Sequence, residues 1–227
     1  MKKLLAYFSL FELALWGGSV TLIVIAFFLF DRNSYLTLTA SLIGVTSLIF
    51  NAKGNPIGQL LMVAFSLLYG VISFTFSYYG EMITYLGMTM PMSALALFAW
   101  LKNPYKGNKS EVALDVLGKR ARGLLWPLTL AVTLVFYFIL ACFATKHLPL
   151  STLSVTTSFL AVYLTYCRSP FFALAYAAND LVLIALWILA GIEEIRYVAV
   201  VVCFIAFFLN DTYCFINLRK MQKRQQA

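Results

Sequence analysis

Histidine occurs once in this chain, at His147, and cysteine four times, at Cys142, Cys167, Cys203 and Cys214. The cysteines have no CxxC spacing and no histidine at metal-ligand distance, so they read as packing residues and no metal site is expected. His147 falls in a short polar turn without sequence partners for proton or metal work. Charge is scarce as well: Asp, Glu, Lys and Arg make up 11% of 227 residues, against 62% hydrophobic, and the mean hydropathy is +0.87. Such a composition excludes a soluble globular domain. The net charge of +8 would suggest a nucleic-acid partner in a soluble chain. Here the basic residues sit at the ends of apolar runs, where the positive-inside rule accounts for them, so no nucleic-acid role is expected. The signatures of membrane enzymes are missing too: there is no HxxxH, no GxSxG and no glycine-rich phosphate loop. No catalytic residue and no cofactor is expected.

What the chain does contain is eight apolar runs of spanning length. Leu4 to Phe30, broken by Glu12 and Gly17-Gly18, is too long for a signal-peptide core and lacks a small-residue cleavage site, so it predicts an uncleaved span. Glu12 is expected to reach toward the interface. Tyr35 to Asn51 carries Ala40, Gly44, Ser47 and Asn51 along one face, small and polar residues that suit close helix packing. The run from Pro56 to Tyr79 has a polar and small stripe of Gln59, Ser66, Gly70, Ser73 and Ser77, flanked by Tyr69, which should face protein or water. Pro91, among Met88, Met90 and Met92, predicts a kink in the span Met82 to Leu101. After a hydrophilic connection from Lys102 to Gly123 come Leu124 to Phe143, Leu148 to Tyr166, Phe171 to Ala190 and Tyr197 to Leu218. The fold class expected is an all-α integral membrane protein with eight transmembrane helices. With both termini inside, fourteen of the seventeen Lys and Arg residues lie on the cytoplasmic side, which predicts a multi-pass cell-membrane protein in that orientation.

The seventh run holds the strongest functional signal, because Asn179 and Asp180 interrupt it near its middle. A carboxylate at the bilayer centre costs about 2.5 to 3.5 kcal/mol on insertion scales, so it needs a polar neighbour, a wet cavity or a ligand. At a rise of roughly 1.5 Å per residue from Pro170, the pair lies about 15 Å deep. Tyr176, Asp180 and Trp187 share its stripe. A bracing hydrogen bond between helices would use the same residues. The last span adds Asn210, Asp211 and Asn217.

Pro56 set against Pro170 aligns the second to fourth runs with the sixth to eighth at an offset of about 114 residues, placing Ser66 opposite Asp180 and Ser73 opposite Trp187. Three plus three spans joined by one crossing helix form a parallel repeat, an architecture whose sites lie near the midplane. The expected organisation is an extra helix over 1–34, a three-helix bundle over 35–101, a loop and linker helix over 102–147, a second bundle over 148–221 and a basic tail over 222–227. The amides and carboxylates at one level, with Tyr69, Tyr176, Trp187 and Tyr213 for stacking, suit a small polar ring compound, and a cationic ring best. The candidate substrate-binding residues are Gln59, Ser66, Tyr69, Ser73, Tyr176, Asn179, Asp180, Trp187, Asn210, Asp211 and Asn217. A receptor or scaffold would use the same spans without a through-path, and an enzyme would need more than Asp180 and Asp211 on separate helices.

Three strings, SLLYGVISFTFSYYGEMITYLGM (66–88), RSPFFALAYAANDLVLIALW (168–187) and FFLNDTYCFINLRKM (207–221), resemble bacterial PnuC transporters, with the Trp-Leu-Lys-Asn-Pro-Tyr-Lys-Gly-Asn-Lys loop in keeping. The resemblance runs from Tyr35 to Met221 and leaves the first helix as an extension. It implies a SWEET-like three-one-three fold and a facilitator of nicotinamide riboside, or in sister groups of thiamine, riboflavin or deoxynucleosides, trapped by a cytosolic kinase. It implies ligand contacts at Gln59, Tyr69, Asn179, Asp180, Asn210 and Asp211. A pair of close tryptophans used by some members is absent, since Trp187 stands alone. The partners expected are this small molecule and the lipid bilayer; a homo-oligomer is admitted but nothing in the sequence requires it.

Overall fold

A computed structural model describes residues 7–75 and 79–227. Lys2, Lys3 and the start of the first apolar run, and Ser77 and Tyr78 at the end of the third, lie outside the described residues. Eight helices among the described residues are long and apolar enough to cross a membrane. They are α1 (Leu10–Phe30), α2 (Tyr35–Ala52), α3 (Pro56–Thr75), α4 (Tyr79–Lys102), α5 (Lys119–Cys142), α6 (Leu148–Tyr166), α7 (Phe171–Glu193) and α8 (Val198–Gln226).

Consecutive helices pack within each trio, α2 on α3 on α4 and α6 on α7 on α8, while α4 packs on α6 and α8 on α2. The last helix of each trio thus lies on the first helix of the other, an exchange consistent with two parallel repeats. The linker α5 leans on α6, and α1 on α2 and α8. Both are mostly uncovered by protein, and their exposed Ile25, Phe28, Leu130 and Phe138 suit contact with acyl chains. In such surroundings the hydrophobic effect does not drive helices together, so close approach at small residues and hydrogen bonds hold the bundle.

Gly44 is the closest such approach between the α2 and α8 faces. A Cβ there would overlap the Phe207 ring and come within 3.0 Å of Phe65. Gly44→Ala should therefore destabilise the bundle by about 1 to 3 kcal/mol, the usual range for overpacking. A Cβ at Gly17 meets nothing within 4 Å, so Gly17→Ala is the neutral control. Thermal melting in detergent compares the two, and equal midpoints would contradict the packing seen around Gly44.

Four local features depart from the sequence reading. Glu12 is buried at 1% exposure instead of reaching the interface. It closes a capping box with Ser9, pairs with Lys53 at 3.2 Å and accepts a hydrogen bond from the Tyr213 hydroxyl at 3.0 Å. A carboxylate with three such partners is stable where a lone one is not. The hydrophilic connection contains an antiparallel hairpin, β1 (Pro104–Tyr105) with β2 (Asn108–Val112). Its two-residue loop, Lys106-Gly107, has positive φ at both positions (47° and 81°), as a primed turn requires. Ahead of Pro91, where the sequence predicts a kink, α4 carries a π-turn over Tyr85–Thr89, with the Met90 N–H bonding back to the Tyr85 carbonyl. The last helix runs on to Gln226, where Gln225 accepts from the Leu114 N–H at 2.8 Å and Arg224 pairs with Glu111.

Candidate functional site

The polar stripe of α3 faces inward: Gln59, Ser66, Tyr69 and Ser73 are all buried. On α7 the buried face carries Asn179, Asp180, Leu183 and Trp187, and on α8 it carries Phe204, Phe207, Asn210 and Asp211. The three faces meet at an aromatic cluster. Tyr69 lies 4.5 Å from Tyr85, 6.0 Å from Phe204 and 6.4 Å from Trp187, measured between ring centroids. Phe65 closes the cluster against Tyr85 and Phe207.

Beside these rings the carboxyl groups of Asp180 and Asp211 lie next to each other, each no more than 3% exposed. Tyr176 and Tyr85 stand within Coulombic reach of the pair. Neither aspartate takes part in a salt bridge among the described residues. Asp180 Oδ2 and Asp211 Oδ1 have no hydrogen-bond partner, and neither do Ser66 Oγ, Ser73 Oγ and Gln59 Oε1. Each unmet buried polar atom costs about 1 to 3 kcal/mol. A run of them on the faces that meet between the two trios points to a place where water or a ligand completes the bonding.

The sequence-predicted residues fall into two groups. Ser66, Tyr69, Ser73, Asp180, Trp187 and Asp211 belong to the faces converging at the cluster, with Tyr176 half-buried near the acid pair. Gln59, farther along the α3 stripe, donates to Asn51 Oδ1 at 2.8 Å and leaves its own carbonyl unmet. The three asparagines are engaged in the scaffold. Asn179 Oδ1 accepts from Thr157 at 2.8 Å, Ser158 at 3.1 Å and Ser154 at 3.4 Å, which clamps α7 to α6. Asn210 donates to Ser19 at 2.8 Å and so ties the extra helix α1 to α8, although its carbonyl oxygen is unmet. Asn217 donates to the Ala52 carbonyl at 2.8 Å and lines a cavity of about 290 Å³ at the basic end, with Lys53, Lys220 and Arg224. Tyr213, expected to stack on a ligand, instead bonds Glu12 and packs on Phe11.

Two residues outside the sequence-predicted set matter to this region. Tyr85 sits at the start of the π-turn and fills the space between Tyr69 and Phe65. The signal available for it was the helix-breaking Pro91 six residues on, since π-turns mark functional positions in helices. Glu81 is buried in the first turn of α4, just ahead of the span expected from Met82.

Residues 34–220 match the protein family described as nicotinamide mononucleotide transporter. The nicotinamide riboside transporter PnuC of Neisseria mucosa is 25% identical over 205 residues, covering 88% of this chain and 78% of its own length. A crystal structure of the vitamin B3 transporter PnuC superposes with a TM-score of 0.82 at 22% identity, covering 96% of this chain and 94% of that one. At that identity the superposition establishes the fold. These relatives are transporters and not enzymes. The family match takes in all of α2 to α7 and the membrane part of α8, helices that build the acid pair and its aromatic surround, and this multi-pass membrane chain belongs to the nicotinamide mononucleotide transporter family.

Proposed function

We propose that the chain carries nicotinamide riboside across the bacterial cytoplasmic membrane by alternating access, entering from the side opposite both termini. The observation that carries this reading is the contact of Asp180 with Asp211, two acids with no basic partner among the described residues, beside Tyr69, Tyr85 and Trp187. A pyridinium ring supplies the missing positive charge and offers a face to the aromatic rings. Ribose hydroxyls match the unmet oxygens of Ser66, Ser73 and Gln59. The same acids disfavour a mononucleotide at this level, because its phosphate would bring like charge into a low dielectric. Thiamine, also a cationic ring compound, is the second reading, because the unpaired acids suit any such ring. Riboflavin and deoxynucleosides lack the charge that the acids call for.

The carrier works downhill, and a separate cytosolic kinase traps the product. Fourteen of seventeen basic residues on one side support the orientation with both termini cytoplasmic. Labelled nicotinamide riboside should enter proteoliposomes until the two sides are equal, and a proton or sodium gradient imposed at clamped membrane potential should not raise that level. Accumulation above it would remove the downhill mechanism, and no equilibrating uptake at all would leave a receptor. Titration against nicotinamide riboside, thiamine, riboflavin and a deoxynucleoside then orders the substrates.

A further inference from the structure

One buried acid lies outside the central pair. Glu81 on α4 is 6% exposed and its Oε2 has no hydrogen-bond partner. It lines a small cavity with Thr145, Lys146 and His147 from the α5–α6 turn, Ser151 of α6, and Leu186 and Glu193 of α7. The Thr145 hydroxyl in that cavity is also buried without a partner. The cavity holds about 10 Å³, room for a single water molecule. Over its mouth Lys146 Nζ pairs with Glu193 Oε2 at 2.6 Å, and both side chains are more than half exposed. In the other direction Leu186 of the cavity wall belongs to the same packed cluster as Trp187, Tyr69 and Tyr85. Glu81 thus stands between a water-exposed ion pair and the central aromatic cluster.

We propose that Glu81 is an outer binding site for the cationic ring of the substrate, visited between the Lys146–Glu193 mouth and the Asp180–Asp211 pair. The site rests on the reading that the substrate is a cation entering from this end. In the present conformation the mouth is shut, since a pyridinium ring is far larger than the cavity. Separation of Lys146 from Glu193 opens it, and Glu81 with the Thr145 hydroxyl then receives the ring at the edge of the low-dielectric interior. A fixed acid there raises the local concentration of a cation and speeds its capture without contributing to affinity at the centre.

Initial uptake of labelled nicotinamide riboside into intact cells, at subsaturating concentration and low ionic strength, tests the site against equilibrium titration of purified protein. Glu81→Gln should lower uptake about fivefold while leaving the dissociation constant within about twofold, and Glu81→Asp should restore at least half of the rate. The uncharged 1,4-dihydro riboside should enter the variant at the parental rate. Unchanged uptake of the cation, an equal loss for the dihydro compound, or a dissociation constant that worsens in step with uptake each overturns the proposal. Lys146→Gln, at an exposed position, gives a second measurement should Glu81→Gln fail to fold: it should raise capture of the cation about twofold, and an unchanged rate at low ionic strength also overturns the site. These outcomes are independent of the central pair, whose own test is loss of charge discrimination in binding.

Discussion

Asp180→Asn should weaken binding of nicotinamide riboside by about tenfold and binding of its uncharged dihydro analogue by less than about threefold, since hydrogen-bonded contacts to a charged group contribute about 1.5 to 3 kcal/mol. One acid remains in that variant, because Asp211 touches Asp180 and faces the same space. The double replacement Asp180→Asn with Asp211→Asn removes both carboxyls and should lower affinity for the cation about a hundredfold, again with little effect on the neutral compound. Calorimetric titration of purified protein reads all four combinations. Equal losses for charged and uncharged ligands would mean that the acids brace α7 against α8 and do not meet a cation. The amide replacements keep the volume of the side chains and one oxygen, so they separate charge from packing.

Ser66→Leu should reduce uptake at least about tenfold in a protein that still folds. Ser66 is fully buried on the inward stripe of α3, with its hydroxyl unmet and with Tyr69 one turn away in the aromatic cluster. A leucine adds three carbons to that surface, a change that costs about 1 to 3 kcal/mol when a packed site must yield and that fills any passage between the trios. Size-exclusion profiles and melting curves establish folding, and labelled uptake reads the block. Parental uptake from the folded variant would take the α3 stripe out of the pathway. The contrast with Gly44→Ala is diagnostic: there stability should fall because α2, α3 and α8 are forced apart at the Phe207 contact, whereas at Ser66 the loss should appear in transport.

Much of the bundle is legible in the amino-acid sequence. The eight spans recur in sequence and structure, the last running eight residues past its expected end to Gln226, because in lipid each backbone polar group must be met within its own helix and long apolar runs leave one solution. Asp180 and Asp211 stood out for a related reason, since an acid in an apolar run is expensive wherever it sits. Glu12 meets the same criterion, yet spacing points it to the interface, because its partners Lys53 and Tyr213 are distant in sequence. The hairpin at Lys106-Gly107 was missed although its turn is local, since two short strands in a polar loop give no hydrophobic period.

By itself the sequence determined the class of molecule, the number of crossings, the asymmetry of basic charge and the helices that carry intramembrane acids and amides, because each depends only on residues near one another along the chain. Only the tertiary structure decided what those polar groups do. Spacing could not tell that Asn179 turns to the hydroxyls of α6 while the adjoining Asp180 turns to Asp211, because successive residues on a helix point about 100° apart and the neighbour at each bearing is chosen by how α6, α7 and α8 pack. The joining of Tyr85 to Tyr69 and Trp187, and the enclosure of Glu81 beneath Lys146 and Glu193, were settled in the same way, by helices far apart in the chain brought side by side.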